Sequence, residues 1–127
     1  MTKRKKPTLP KLLKRADTVF STFIRTRDNY TCVLCGSRFR PQNGHLIKRG
    51  KKNVRFDEDN CHCQCSSCNY KHNHYPEIYI NWFIRKFGAE KFDTLTEKSK
   101  VMKQFKVWEL EEIISKYDLT NERILEK

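Results

Sequence analysis

Two Cys-x-x-Cys pairs constrain the fold of this chain more than any other feature. They are Cys32 with Cys35 and Cys65 with Cys68, and about thirty residues separate them. Short cysteine pairs at such a spacing bring four thiolates to one tetrahedral site, and a site of four thiolates favours Zn²⁺. The intervening segment must fold back on itself for the pairs to meet. The sequence therefore predicts a structural zinc ion held by these four cysteines.

Length and charge restrict the class of protein and its partner. A chain of 127 residues is expected to form one domain. Lys and Arg total 27 against 15 Asp and Glu, which gives a net charge of +12 and a pI near 9.6. Such a field attracts polyanions and gains from counterion release at phosphates, so DNA is the predicted partner. A charge that only keeps the protein soluble is the alternative.

The cysteines and the N-terminus predict a cytoplasmic location. Residues 1–6 are charged and lead into no apolar run, so no signal peptide is expected, and no stretch is long enough to cross a membrane. In a reducing compartment cysteines bind metal more often than they form disulfides. Cys61 and Cys63 are left over from the zinc site. They are buried thiols, alternate ligands or free surface thiols, and the sequence leaves the three readings open.

Composition along the chain predicts an α+β domain. Residues 1–8 form a basic flexible arm, and residues 9–127 form a single domain. A zinc-bound core of strands and one helix is expected at about residues 30–75. Helices at 9–28 and 76–127 flank this core.

Inside the core, the pattern predicts two short strands and one helix. The first strand is expected at residues 44–47 and the second at 54–56, with a helix starting near Cys68. In the flanks, apolar residues recur at helical spacing after Thr8, and this stripe is either core or a dimer face. Pro76 and Gly88 bracket a further helix, and the last helix carries the apolar residues from Leu110 to Tyr117.

Three polar residues within the core have the order and spacing of an HNH nuclease site. Fourteen residues separate His45 from Asn60, and eight separate Asn60 from Asn69. An imidazole has the basicity to take a proton from an attacking water near neutral pH, so His45 is the expected general base. Asn60 is expected to bond backbone and orient the His45 strand. The amide oxygen of Asn69 suits Mg²⁺ or Mn²⁺. The alternative for His45 is a histidine packed in the core without a catalytic role. The alternative for Asn69 is a side chain that only forms a hydrogen bond at the start of a helix.

The second protein ligand of that catalytic cation is not evident. Many HNH nucleases carry Asp or His just before the catalytic histidine, where this chain has Gly44. A cation with few protein ligands is expected to bind weakly without DNA. The candidates for the missing ligand are Asp57, Asp59, His62 and His74.

A cationic segment follows the expected base directly. As phosphate contacts, its side chains would position DNA without reading sequence, whereas a solvated charged face is the alternative. The candidate DNA-binding residues are Lys48, Arg49, Lys51, Lys52 and Arg55.

The chain resembles the phage NinG/Rap recombination proteins over about residues 9 to 120. Each matching piece is weak alone, and their order makes the combination specific. The chain departs from the family at two places. The family commonly has Gly-Asn before the Tyr-Pro-Glu motif, where this chain has Asn73-His74 and is one residue shorter. The chain also has cysteines at positions 61 and 63, where the family rarely has them. The matching stretches are Val19–Asp28, Cys32–Gly36, Gly44–Arg49, Arg55–Asn60, His62–Cys65, Cys68–Asn69 and Tyr75–Glu77.

The resemblance implies a ββα-metal nuclease that hydrolyses branched DNA such as Holliday junctions during phage recombination. It also implies that His62 and Gln64 lie near the site. Paired cuts in a four-way junction lead us to expect a homodimer, and recombination proteins are candidate partners. Three other readings stay open: an HNH nicking, restriction or homing endonuclease, a non-catalytic zinc module that binds DNA, and a zinc-stabilised protein-interaction domain.

Overall fold

The computed structural model describes residues 6–120, and α-helices dominate it, with one small sheet. The helices and strands, in chain order, are α1 (Leu9–Arg27), β1 (Pro41–His45), β2 (Cys61–Cys65), α2 (Ser66–Lys71), α3 (Pro76–Phe87), α4 (Ala89–Ser99) and α5 (Val107–Tyr117). Short 3₁₀ turns at Lys52–Val54 and Glu58–Asn60 lie between the two strands. This mixture agrees with the predicted α+β class. No helix in the described range is long and apolar enough to span a bilayer.

The described residues fall into two compact units. The first contains residues 6–23 and 104–120, and the second contains residues 24–103. Within the first unit, the rings of Phe20 and Phe23 lie 4.7 and 4.8 Å from the ring of Tyr117, measured between centroids. The predicted arm at residues 1–8 lies largely outside the described residues, and the single-domain boundary stays a prediction.

The second unit is built on an antiparallel pair of strands followed at once by a helix. β1 pairs with β2 in a register that places Gln42 opposite Gln64 and His45 opposite Cys61. Its apolar core contains five buried residues from the loop and from helices α3 and α4: Leu46, Val54, Tyr79, Phe83 and Leu95. The core thus packs around the connection between β1 and β2, where the predicted site residues lie.

The predicted strand at residues 54–56 is wrong, because this stretch turns. The amide of Val54 bonds the Lys51 carbonyl at 3.1 Å, which is a 3₁₀ pattern, and the Val54 carbonyl accepts a side-chain bond from Asn60. The real second strand is Cys61–Cys65, whose five residues are all buried. Cys61, Cys63 and Cys65 alternate with His62 and Gln64 at the period of a strand, but the polar positions are buried as well, so the alternation does not mark a solvent-facing side.

Two boundaries in the core also differ from the predicted ones. β1 runs from Pro41 to His45 rather than over residues 44–47. α2 begins at Ser66 rather than near Cys68, because Cys65 is its N-cap and the Cys65 sulfur accepts the Cys68 amide. The predicted helix from Pro76 to Gly88 is confirmed.

Candidate functional site

The structure brings the four predicted zinc ligands together. Cys32 and Cys35 flank a turn before β1, Cys65 ends β2, and Cys68 lies in the first turn of α2. All four sulfurs lie within 4.8 Å of one another, and those of Cys35 and Cys65 are 3.7 Å apart. Four Zn–S bonds of about 2.3 Å in a tetrahedron give sulfur–sulfur edges of about 3.8 Å. The cluster can therefore hold a metal ion such as zinc.

The backbone around the first pair is shaped for thiolates. Gly36 has a φ of +79°, a conformation that glycine adopts without a steric penalty, and its amide bonds the Cys32 carbonyl at 2.9 Å. The Cys32 amide in turn bonds the Ser37 carbonyl at 2.8 Å. These bonds close a tight turn that presents Cys32 and Cys35 toward the second pair.

Backbone amides also tune the first ligand. Burial by itself would raise the pKa of Cys32, but hydrogen bonds from the backbone N–H groups of Cys65, Cys35 and Leu34 lower this pKa to about 7. Metal binding requires the deprotonated thiolate. Burial and hydrogen bonds among the sulfurs raise the pKa of Cys68, so the fold favours the thiolate at Cys32 and not at every ligand.

Cys61 and Cys63 are buried thiols outside the cluster, which decides among the three readings left open by the sequence. Burial and the nearby Asp28 carboxylate raise the pKa of Cys63 to about 11. The Cys63 backbone is nevertheless important, since its carbonyl accepts the Val33 amide at 2.9 Å and its amide bonds Asp28 at 2.8 Å. These bonds join β2 to the first cysteine turn and to the end of α1.

His45 is the last residue of β1, and its ring is held by the loop that follows. The Nε2 atom lies 3.0 Å from the backbone carbonyl oxygen of Arg55. A carbonyl can only accept, so Nε2 carries the hydrogen and Nδ1 is the basic nitrogen of the neutral ring. The structure thus fixes one tautomer of a half-buried imidazole.

Asn60 closes this same loop from the inside. It is fully buried, its Oδ1 accepts the Ile47 amide at 2.8 Å, and its Nδ2 donates to the carbonyls of Ile47 and Val54 at 3.0 and 3.1 Å. The Leu46 amide bonds the Asn60 carbonyl at 2.8 Å. The side chain therefore orients the segment immediately after His45 by contacting backbone.

Asn69 lies on α2 and contacts the other end of β1. Its Nδ2 donates to Oε1 of Gln42 at 2.8 Å, so Oδ1 is the atom that can offer lone pairs to a cation. Gln42 precedes His45 by three residues, a backbone separation of about 10 Å along the strand. Asn69 thus contacts the side chain of the β1 residue three positions before His45. The shallow pocket around Asn69 is lined by Gln42, Ser66, Asn69, Tyr70 and Asn73.

The carboxylates proposed as further cation ligands have other partners. Asp57 caps the turn before Asn60 by accepting the Asp59 amide at 2.9 Å, and it pairs with Lys98 at 3.2 Å. Asp59 pairs with Lys91 at 3.2 Å. Both pairs tie the loop to α4.

The two candidate histidines pack against aromatic side chains. His62 is buried against α3, where Trp82 packs edge-on against its ring, and burial lowers the pKa of His62 to about 4. His74 lies against the ring of Tyr70. Among residues 6–120, the four cysteines are the group of three or more His, Cys, Asp or Glu side chains close enough to share a metal.

Tyr79 forms a buried link that sequence reasoning missed. The Tyr79 hydroxyl donates to the Gly44 carbonyl at 2.8 Å. Nδ1 of His62 lies 2.9 Å from the Tyr79 hydroxyl oxygen. Because the hydroxyl proton goes to the carbonyl, Nδ1 of His62 is the donor in the second bond. Helix α3 is thereby attached to the strand residue that precedes His45. Only an apolar position was visible in the sequence here.

His72 was also missed, although it follows Cys68 by one helical turn. Its Nε2 donates to the Leu46 carbonyl at 2.9 Å, and its ring packs at 5.0 Å on the ring of Tyr79. The i, i+4 spacing of Cys68 and His72 was the signal that could have indicated a shared helix face. Together with Asn60, His72 fixes the chain beside His45 from two sides.

The candidate DNA-binding residues lie on the loop beside His45. Lys48, Arg49 and Lys51 are exposed, whereas Lys52 and Arg55 are half-buried. Asn53 anchors this loop to α4 by donating to the Lys98 carbonyl at 3.0 Å. The cations therefore project from a tethered loop that also supplies the carbonyl bonded to His45.

Fold and site define a small basic α+β protein in which a ββα segment carries two of four clustered cysteines that can hold a metal ion. The chain belongs to the NinG family, since the family model described as Bacteriophage Lambda NinG protein matches residues 2–127. It is similar to the Protein ninG of Escherichia phage 933W and to that of Enterobacteria phage VT2-Sa.

The similarity to each of these relatives is 32% identity over 120 residues. The matched region covers 87% of this chain and 59% of the relative, so the chain spans little more than half the length of these proteins. No solved structure matches the chain.

Proposed function

We propose that this protein is a metal-dependent DNA endonuclease of the HNH type that cuts branched DNA, such as Holliday junctions, in phage recombination. The observation that carries the proposal is the hydrogen bond from Nε2 of His45 to the Arg55 carbonyl at 3.0 Å. It leaves Nδ1 as the basic nitrogen of an imidazole that a fully buried asparagine holds in place.

The roles of the residues follow from this geometry. Nδ1 of His45 takes the proton from the attacking water, and the Arg55 carbonyl stabilises the imidazolium that forms. Asn60 acts by positioning the loop, and the exposed cations of that loop hold the DNA backbone.

A bound Mg²⁺ or Mn²⁺ would supply charge stabilisation at the scissile phosphate and at the leaving oxygen. Two features of the described residues fit such a cation. The Oδ1 atom of Asn69 is a hard oxygen donor beside a polar pocket, and the carboxamide of Gln64 on the same sheet is buried without a hydrogen-bond partner. Neutral oxygen donors suit a hard cation whose remaining charge balance comes from DNA phosphate.

A panel of substrates tests the proposal directly. A four-way junction, a flap, a linear duplex and a single strand are incubated with Mg²⁺ or Mn²⁺ and with wild-type protein or His45→Ala. We expect cutting of the branched substrates by wild-type protein, a loss of cutting in His45→Ala by about a hundredfold or more, and DNA binding that is nearly unchanged. Equal cleavage by both proteins would refute the His45 mechanism.

The same panel separates the other readings. Preference for linear duplex would indicate a nicking, restriction or homing type of HNH enzyme. Salt-sensitive DNA binding without cutting would indicate a non-catalytic zinc module. Absence of DNA binding would favour a protein-interaction domain. A homodimer, recombination partners and a cytoplasmic location remain part of the proposal, and sedimentation analysis with a junction substrate tests the dimer.

A further inference from the structure

The side chain of Gln64 fills the space on the sheet that a side chain at position 44 would occupy. Gly44 is buried, and a Cβ built at this position would lie 2.6 Å from Cδ of Gln64 and closer still to Oε1. The register places Gln64 opposite Gln42, so its side chain crosses diagonally onto Gly44. A larger residue at position 44 would therefore displace Gln64. The amide group of Gln64 occupies the space that a side chain from position 44 would fill.

The environment of Gln64 gives its amide group no hydrogen-bond partner. The residue is fully buried, and neither Oε1 nor Nε2 has a partner within the described residues. Burying a carboxamide without partners destabilises a fold, so such a group in a native site calls for a ligand, an ion or a water. Two other buried atoms within the described residues, Oδ1 of Asn43 and Nδ1 of His72, also lack a partner, but Gln64 lacks one at both atoms of its amide group.

The placement of Gln64 connects it to both ends of the candidate site. Positions 42, 44, 62 and 64 share one face of the pair of strands, because paired residues of antiparallel strands point the same way. On this face Gln42 bonds Asn69 at 2.8 Å, and Gly44 is the residue directly before His45. The Gln64 amide thus lies beside Gly44, between the residue that contacts Asn69 and the residue that precedes His45, whose own position belongs to the opposite face of the strand pair.

We propose that the carboxamide oxygen of Gln64 is a protein ligand of the catalytic divalent cation, in place of a side chain at position 44. This inference rests on the proposed function and names a ligand for its cation. Gln64 and Asn69 would supply two neutral, hard oxygen atoms, which Mg²⁺ and Mn²⁺ accept and which the thiolate-bound zinc does not require. Since neither ligand is charged, affinity for the free ion is low and rises when a DNA phosphate joins the site.

The test measures Mn²⁺ binding to zinc-loaded protein by calorimetry and by the electron paramagnetic resonance signal of free Mn²⁺. Gln64→Met keeps the length of the side chain and removes its oxygen. We expect it to retain zinc and to bind Mn²⁺ about tenfold more weakly or worse, since loss even of groups that only support metal ligands costs about tenfold or more. Unchanged Mn²⁺ affinity in this variant would overturn the inference.

A pair of double variants tests whether position 44 and Gln64 are interchangeable. Gly44→Asp with Gln64→Ala frees the space and places a carboxylate in it, and Mn²⁺ binding should return to the wild-type level or exceed it. The matched control, Gly44→Ala with Gln64→Ala, fills the same space without an oxygen and should bind as weakly as Gln64→Met. Equal affinity of the two double variants would refute the exchange, whether or not Gln64→Met folds.

The outcomes distinguish this inference from the proposed function. Junction cutting with Mg²⁺ by wild-type protein, together with full Mn²⁺ affinity in Gln64→Met, would overturn the role of Gln64 alone. Wild-type protein that holds zinc and binds no Mn²⁺, with or without a junction substrate, would overturn both the inference and the metal-dependent mechanism.

Discussion

Substitution of Tyr79 by phenylalanine removes one hydroxyl from the interior of the larger unit. Tyr79 is fully buried, and its oxygen joins the Gly44 carbonyl at 2.8 Å to Nδ1 of His62 at 2.9 Å. Phenylalanine keeps the ring that packs in the core cluster, so the change acts on hydrogen bonds rather than on apolar packing. The variant leaves a carbonyl acceptor and an imidazole N–H donor without this partner.

The expected loss of stability follows from those two groups. A buried polar group left unsatisfied costs about 1–3 kcal/mol. Two such groups would give about 2–6 kcal/mol, but the His62 ring can move its proton to Nε2 and relieve part of the penalty. We therefore expect the free energy of unfolding to fall by about 2–4 kcal/mol in Tyr79→Phe.

Urea unfolding of zinc-loaded protein at pH 7 measures this difference, with zinc content determined on the same sample. Tyr75→Phe is the matched control, since Tyr75 is 56% exposed and should change stability by less than about 0.5 kcal/mol. A loss below about 0.5 kcal/mol in Tyr79→Phe as well would show that the link between α3 and β1 contributes nothing to the fold.

Three further changes have defined outcomes. Asn60→Asp replaces the amide group that donates to the carbonyls of Ile47 and Val54 with a carboxylate oxygen that can only accept, so the free energy of unfolding should fall by about 2–4 kcal/mol. A change under about 1 kcal/mol in urea unfolding would contradict the role of these two hydrogen bonds. Cys68→Ser should lower bound zinc from one ion per chain to nearly none and yield unfolded protein, whereas a folded, zinc-loaded variant by metal analysis would exclude this ligand. Burial lowers the pKa of His62 from 6.5 to about 4, so the unfolded chain takes up a proton at a higher pH than the folded chain does. The free energy of unfolding should therefore fall as the pH drops from 6.5 to 4, by about 3 kcal/mol more in wild-type protein than in His62→Leu. A pH-independent difference between those two proteins in thermal unfolding would refute the burial of neutral His62.

The cysteine cluster could be predicted from the sequence because its chemistry is encoded locally. Each pair is held by its own turn, at Gly36 and at the start of α2, so the spacing alone defines half of a tetrahedron. The helix from Pro76 to Gly88 could be predicted for a similar reason, since its start and stop residues lie at its ends. Local signals of this kind do not depend on the rest of the fold.

The strand and the buried polar contacts could not be predicted because they depend on register. Cys61–Cys65 alternates cysteines with His62 and Gln64 although both faces of the strand are buried, and Val54 looks like a strand residue although it lies in a 3₁₀ turn. In the sequence, Gly44 indicates only that a metal ligand is missing at its position. Its proximity to Gln64, twenty positions later, exists only after β1 and β2 pair. The role of Tyr79 likewise requires α3 to pack over that pair.

The donor types of two neighbouring groups of side chains give a reason for the proposed division of labour. In the proposed mechanism the soft thiolates of the cysteine cluster would hold zinc, while the hard carboxamide oxygens of Asn69 and Gln64 would suit a cation such as Mg²⁺, so the two ions would not compete for one set of ligands. A zinc ion held by the thiolates would fix the cysteine turn, the end of β2 and the start of α2, so the proposed second site would need no charged ligand to hold its parts together. A neutral second site in a chain of net charge +12 then binds a cation well only when phosphate is present. On this basis the protein would hold its catalytic ion chiefly when DNA is bound, and Mn²⁺ affinity should rise by about tenfold or more on adding a four-way junction to His45→Ala protein, which binds the substrate without cutting it.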